Sequence, residues 1–493
     1  MTKSAIVIGA GFSGLSSAAY LAKAGYNVTV VEKNASAGGR ARKHTIDGFT
    51  FDMGPSWYWM PEVFERFFAD FGKRPDNYYE LVRIDPSYRV YWADEIMDIP
   101  TGIEDVCQLF ESVEKGAGEK LRSYLKQAGL KYEIGINKMA YKPGQSIMEL
   151  MDWEIIRNAA RMDLFQSVSR HIAKSFKTPK LRQLLEFPML FLGALPQDTP
   201  ALYSLMNYAD IVKGTWYPVG GMHSVVEAMQ DLCKELKVEF RFNEAVEEVI
   251  IHKKKAVAVA TANFKYPADI VVGTADYNFI ETSLLAKESR SYSETYWEKK
   301  ILAPSCLIWY IGLNSKIKLP HHSLFFDVPF KPHADQIYKD PQWPDEPLFY
   351  VCAPSVTDPS VAPPGCENLF LLIPVASGLA TDDDALRERY FNKVMARLEK
   401  LTDQNIQELI IYKKSYGVSD FVTDYNSYKG NAYGLANTLF QTSIFRPGCR
   451  SRKVKNLFYA GQFTVPGPGV PPAIISGRIV SEKIKKSYDS SAV

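Results

Sequence analysis

Apolar and polar positions along this chain switch between two periods. Ala5-Ile6-Val7-Ile8 is a short apolar run of strand length, and Leu15 to Lys23 then repeats at helical spacing until Gly25 stops it. Val28-Thr29-Val30-Val31 is a second apolar run, so the first stretch predicts strand, helix, strand. His44 to Phe51 alternates around Asp47-Gly48, as in a strand or hairpin. Val63 to Phe71 has helical spacing, with Phe64, Phe67, Phe68 and Phe71 describing a buried face. Glu80 to Ile84 and Tyr88 to Trp92 predict strands of a second sheet, and Glu104 to Lys138 is largely helical.

Beyond these, Ser146 to Asn207 is a helical block that is both basic and apolar. Arg157, Arg161, Arg170, His171, Lys174, Lys177, Lys180 and Arg182 precede the apolar run Phe187 to Leu195. Val225 to Leu236 reads as a helix, Val238 to Arg241 and Val246 to Ile251 as strands, and Ala256 to Tyr266 as an alternating pair. Ala268 to Asp276 is a strand closing this part. Cys306 to Leu313, Leu348 to Ala353, Leu369 to Pro374 and Leu409 to Lys413 predict strands of one sheet, with a helix from Asp382 to Leu401. Val454 to Gly461 is a strand ending in glycine, followed after a Gly/Pro turn by a helix from Ile474 to Ile484.

At 493 residues the chain is long for one core and suggests two domains. The pattern divides it into a nucleotide-type domain of residues 1–78, 216–295 and 451–493 and an inserted substrate domain of residues 79–215 and 296–450. The fold class expected is α/β, a Rossmann-type domain carrying a discontinuous α+β insertion. Hydrophobic residues make up 46% and charged ones 23%, which argues for a globular chain. Net charge is +2, so nothing points to nucleic acid. The six cysteines are scattered, with no C-x-x-C and no histidine spacing that suggests zinc, so no metal is expected. Reduced thiols, a first strand with no leader before it and no apolar run of about twenty residues together predict a cytoplasmic protein touching a membrane, if at all, from one side.

The chemistry enters with the glycines. Gly9-Ala10-Gly11-Phe12-Ser13-Gly14 sits between the first strand and helix, and Glu32 ends the second strand, followed by Lys33. Gly9 permits a tight turn, Gly11 lets backbone approach a pyrophosphate at the helix N-terminus, and Gly14 lets helix pack on sheet. Glu32 can accept hydrogen bonds from ribose hydroxyls. Gly38-Gly39-Arg40 adds a second glycine turn and a fork-shaped cation, which suit an anionic linker.

This Glu32 to Arg40 extension resembles that of the flavin amine oxidase and phytoene desaturase superfamily. Phe51-Asp52-Met53-Gly54-Pro55-Ser56, Trp216-Tyr217-Pro218-Val219-Gly220-Gly221 and Gly461 to Pro472 resemble blocks of bacterial and fungal carotenoid desaturases, in order over nearly the whole chain. The resemblance implies non-covalent FAD held by Gly9, Gly11, Phe12, Ser13, Gly14, Glu32, Lys33, Gly38, Gly39, Arg40, Gly54, Pro55, Ser56, Val246, Gly461, Gln462, Gly469, Val470 and Pro471. Gln462 stands where many flavoproteins carry an acid, so no carboxylate contact to the ribityl chain is carried over.

The implied substrate is a linear C40 carotenoid, and the implied reaction extends its conjugation by hydride transfer to flavin N5 with proton loss. Oxygen or a quinone would reoxidise the flavin, and the enzyme would meet membrane lipid peripherally. Glu149 falls where relatives have been proposed to use an acidic proton site, with Met148 where a relative carries Arg. Trp57-Tyr58-Trp59-Met60 reads as one wall of a long apolar pocket, and His321-His322 as a surface loop. Phytoene desaturase leads this reading. A carotenoid 3,4-desaturase or a carotene isomerase would carry nearly the same blocks. An amine or porphyrinogen oxidase is more distant, and a prenyl-protein escort would be the non-enzymatic alternative.

Overall fold

The computed structural model describes residues 2–144, 146, 166–191 and 193–489. The opening pattern folds as its periods require. Strand β1 (Ser4–Ile8) leads through the glycine turn into helix α1 (Phe12–Lys23), and strand β2 (Asn27–Val31) returns parallel to β1. Both strands are apolar because the sheet is covered on its two faces, by helices on one and largely by a small antiparallel sheet on the other. Three more parallel strands complete the sheet, in the order Leu457–Tyr459, Ile270–Gly273, β1, β2 and Glu239–Arg241. Strands far apart in sequence thus become neighbours, and Val272 pairs with both Val7 and Phe458.

Helix Met222–Glu235 and the C-terminal helix Val470–Asp489 pack against α1. The fit is close. A Cβ on Gly477 would come 2.7 Å from Ser16, and one on Gly14 would come 2.0 Å from the Gly9 carbonyl oxygen. Gly14 is a packing residue, placed where helix and turn leave no room for a side chain.

A second sheet has seven strands, in the order Ile410–Tyr416, Ser305–Leu313, Glu367–Val375, Phe349–Cys352, His322–Phe325, Tyr88–Tyr91 and Ile96–Ile99. Neighbours are antiparallel except for His322–Phe325 beside Tyr88–Tyr91. Ser305–Leu313 is buried throughout. Its Leu307, Trp309 and Ile311 face helix Asp384–Thr402, while Cys306, Ile308 and Tyr310 face the larger core. The expected strand at Glu80 to Ile84 does not join this sheet. Leu81–Arg83 pairs instead with Trp216–Pro218, at the chain's crossing between the two sheets.

The hairpin at Asp47-Gly48 forms from Lys43–Ile46 and Phe49–Asp52. It bridges the sheets: a Cβ on Gly312 would meet the Phe49 ring at 2.8 Å, and Asn368 donates to the Thr50 carbonyl at 2.7 Å. Val246–His252, Lys255–Thr261 and Lys265–Pro267 make a small antiparallel sheet. No helix among the described residues is long and apolar enough to cross a membrane.

Gly14→Ala should cost about 1–3 kcal/mol or more, because backbone rather than a flexible side chain fills the space. Thermal unfolding of the apoprotein measures it, and an unchanged Tm would remove the packing role assigned to Gly14.

Candidate functional site

Two glycine turns meet where β1 ends. Gly9, at φ +105°, donates its N–H to the Val31 carbonyl at 2.9 Å and turns the chain into α1. Gly38 donates to the Ala10 carbonyl at 2.8 Å, which draws the second turn onto the first. A Cβ on Gly39 would lie 3.3 Å from the Gly11 Cα, so the two loops approach as bare backbone. Helix α1 begins at Gly11 with no side-chain cap and no acid in its first turn. Its free N–H groups and positive dipole end are left for an anion.

Glu32 is buried at the tip of β2. Its Oε2 accepts from the Ala10 N–H at 2.8 Å, and Oε1 accepts from the backbone and side chain of Asn34 at 2.9 and 3.0 Å. The carboxylate thereby braces the first turn and keeps further lone pairs free for hydroxyl donors. Lys33 Nζ donates to the Thr423 carbonyl at 2.7 Å. Burial pushes its ammonium below the usual lysine range.

Arg40 is half-buried, with its Nε enclosed. One guanidinium nitrogen donates to Ser427 Oγ at 2.8 Å and the Asn431 carbonyl at 3.1 Å, while Nε has no partner. Burial lowers the pKa of the guanidinium, opposed mainly by attraction to Asp276. Burial likewise raises the Asp276 carboxyl, against the pull of Arg40 and hydrogen bonds from Tyr428 and Asn431. A cation with an orphaned buried donor beside an uncapped helix calls for an anionic ligand.

From the far end of the sequence, Gly461 follows strand Leu457–Tyr459 at φ +114° and donates to Ser476 Oγ at 2.9 Å. A Cβ there would reach Ser13 Oγ at 3.3 Å, so the two ends of the chain touch at this point. A cavity of about 390 Å³ runs between the blocks. Of the expected residues, Gly9, Gly11, Phe12, Ser13, Glu32, Lys33, Gly38, Gly39, Arg40, Gly54, Pro55, Val246, Gly461, Gln462, Gly469 and Val470 line it. The donor set and the bare backbone fit a dinucleotide with a pyrophosphate linker.

Comparison with known proteins adds the family. The flavin-containing amine oxidoreductase profile matches residues 12–485. A carotenoid 3,4-desaturase of Haloarcula japonica is 42% identical over 97% of both chains. A phytoene desaturase of Fusarium fujikuroi is 31% identical over 98% of this chain and 89% of its own. The chain belongs to the carotenoid desaturases of the flavin amine oxidase superfamily. It is an FAD-dependent oxidoreductase. The fold is shared more widely: an oxidoreductase of Methanosarcina mazei superposes with a TM-score of 0.65 at 17% identity, covering 97% of this chain and 100% of its own. A putrescine oxidase superposes at 0.62 with 13% identity, covering 99% of each chain.

Three expected cofactor residues of the desaturase do not line the cavity. Gly14 packs beneath Gly9, Pro471 sits in the first turn of the C-terminal helix, and Ser56 turns away to bond Tyr350 Oη at 2.9 Å. Gln462 does line it, and its side chain donates to Asn431 Oδ1 at 3.2 Å. Glu149 lies outside the described residues, with Arg157 and Arg161 of the basic block.

Several lining residues carried no signal strong enough to name. Asp276 follows strand Ile270–Gly273 much as Glu32 follows β2, a parallel that could have exposed it. Thr274 donates from Oγ1 to the Ile8 and Gly9 carbonyls at 2.8 and 2.9 Å. Asp424 pairs with Arg42 at 2.6 Å, beside Tyr425. These last come from helix Val418–Tyr425, whose sequence contains no glycine motif.

The aromatic loop and the paired histidines read differently in the structure. Trp57 stacks on His322 with ring centres 4.1 Å apart, and Tyr58, Trp59 and Met60 are buried. This loop is core and does not line the large cavity: Trp57 packs on Trp59 and His322, and Tyr58 on Phe64. His321 and His322 are 2% and 0% exposed, and so belong to no surface loop. The apolar residues after them carry the chain into a central strand.

A smaller cavity of about 70 Å³ adjoins the first through shared walls at Cys306, Leu372 and Tyr433. Phe187, Leu324, Phe326, Ile337 and Leu348 make it strongly apolar.

Gly11→Val should fold, since an added Cβ meets only the Gly39 Cα at 4.0 Å. Its larger side chain would occupy the anion path, so the protein should purify colourless; a full flavin complement would contradict the assignment. Glu32→Ala should weaken FAD binding roughly tenfold or more, as loss of charged hydrogen bonds does, and titration of apoprotein with FAD would read it.

Proposed function

We propose that this carotenoid desaturase acts late in the assembly of the pigment, introducing a double bond at the 3,4 position of an acyclic carotenoid that is already conjugated. The observation that carries this is the 42% identity to the carotenoid 3,4-desaturase over 97% of both chains, against 31% to the phytoene desaturase. Phytoene as substrate is the second reading, supported by the several relatives of that activity.

FAD, when bound, supplies the acceptor for a hydride from a saturated carbon. The chain's own residues bind, orient and dry the site. The α1 N-terminus and Arg40 hold the anionic linker, and Glu32 holds the ribose. Cys306, Ile308 and Leu372 bring the apolar face of the seven-stranded sheet to the cavity. The second cavity prolongs that face with mostly apolar walls, which suits a long hydrocarbon.

Oxygen or a quinone is the electron acceptor in this reading. The substrate is taken from a membrane surface on the cytoplasmic side, through contact with lipid. Exposed Phe440, Phe445 and Ile301 support that contact, with Ile301 bonded to Gln441 at 3.0 Å and next to Lys299 and Lys300.

Expression in cells that accumulate phytoene and in cells that accumulate a late acyclic carotenoid separates the two substrates. Pigment analysis should show conversion only in the second; coloured product from phytoene alone would overturn the proposal. Ala334→Trp, which fills the second cavity, should cut turnover at least roughly tenfold while flavin content stays whole. Undiminished turnover would remove that cavity from the substrate path.

A further inference from the structure

We propose that His321, His322 and Cys352 form a binding site for one zinc ion, separate from the flavin cavity. The strand register makes the site. His322 lies directly opposite Cys352 in the antiparallel pair, and His321 precedes it, so three ligands converge although 29 residues separate His322 from Cys352. One ligand atom from each lies within 4.8 Å of the other two, and all three side chains are buried.

The imidazoles are already oriented. His321 Nδ1 bonds Thr357 Oγ1 at 2.7 Å, and His322 Nδ1 bonds Tyr350 Oη at 2.7 Å. With each Nδ1–H donating to its hydroxyl, each Nε2 carries a lone pair. Both Nε2 atoms are buried with no hydrogen-bond partner. A hydroxyl fixing one ring nitrogen while the other is left bare is the arrangement found behind metal-ligating histidines. Two orphaned buried acceptors are costly as they stand, and one cation satisfies both. Trp57, stacked flat on His322, locks that ring further.

A cavity of about 10 Å³, room for a single atom, borders His321 and Cys352 and is also lined by Asp52, Ser56 and Tyr217. Two imidazole nitrogens and a thiolate, with one position left over, suit tetrahedral zinc. On binding, the Cys352 S–H breaks, a Zn–S bond forms and the proton passes to solvent. Asp52, whose carboxyl accepts from the backbone N–H groups of Met222 and His223 at 2.7 and 3.0 Å, borders the same cavity. Zinc here would tie the start of strand His322–Phe325 to the end of strand Phe349–Cys352, beside the Asp52–Ser56 segment.

The test uses the full-length protein with FAD bound, freed of metal by dialysis against chelator. Titration with Zn2+ in competition with a chromophoric chelator should give one equivalent. Co2+ in its place should give tetrahedral bands to the red of the flavin spectrum and a thiolate charge-transfer band. Cys352→Ser and His322→Ala should lose both signals, and Thr357→Val should weaken affinity by roughly 10–100-fold. If a variant fails to retain FAD, the wild-type cobalt spectrum decides, since only a thiolate ligand produces its charge-transfer band. Failure of the wild type to bind Zn2+, a cobalt spectrum without that band, or unchanged stoichiometry in a flavin-loaded Cys352→Ser would each overturn the site.

Discussion

Everything in this molecule depends on bare backbone meeting bare backbone at the end of β1. The Gly38 N–H bonds the Ala10 carbonyl, the Gly39 and Gly11 loops lie almost in contact, and Gly14 closes on Gly9 from below. A side chain at Gly39 would press on Gly11, and one at Gly14 would have no room against Gly9. Once the two turns meet, amide hydrogens and Arg40 face one space, and the electrostatics of that space follow from geometry. An uncapped helix start and a guanidinium with an orphaned nitrogen are unfavourable alone and favourable around an anion. The site is therefore preorganised at the cost of local stability, which the surrounding sheet and helices supply.

The larger sheet solves a different problem. Its strands present one apolar face to helix Asp384–Thr402 and the other to the cofactor cavity. The same strand, Ser305–Leu313, is thus structural on one side and part of the reaction chamber on the other. This explains how an oxidoreductase can lack a dedicated constellation of acids and bases among its described residues. The demand on the protein is position and dryness, and a continuous β-face meets it. The hairpin Lys43–Asp52 joins the two halves, because its Phe49 packs on Gly312 while the chain beyond it, at Gly54 and Pro55, lines the cofactor cavity.

Local patterns wrote most of this plainly. The β1–α1–β2 unit, the glycine turns, the hairpin at Asp47-Gly48 and the long strands were legible because each depends on near neighbours: a period, a turn residue, a β-branched run. What stayed hidden depends on distant partners. Leu81–Arg83 has the composition of a strand, but composition does not say that its partner is Trp216–Pro218. His321-His322 looks polar in one dimension and becomes core only when Trp57 and Tyr350 close over it. Asp424 and Tyr425 reach the cavity on a helix far along the chain, with no glycine to announce them. The Trp57–Met60 loop shows the converse error, since aromatic density reads equally well as pocket or as core until packing decides.

The order of strands in the smaller sheet has a bearing on biosynthesis. β1 is translated well before its sheet gains Leu457–Tyr459 and the cavity gains its Gly461–Ala473 wall, which come after the whole of the larger sheet. A nascent chain thus carries an exposed half-built nucleotide cleft for most of its synthesis. The cleft closes only when this distant segment docks, so its completion is tied to the folding of everything between.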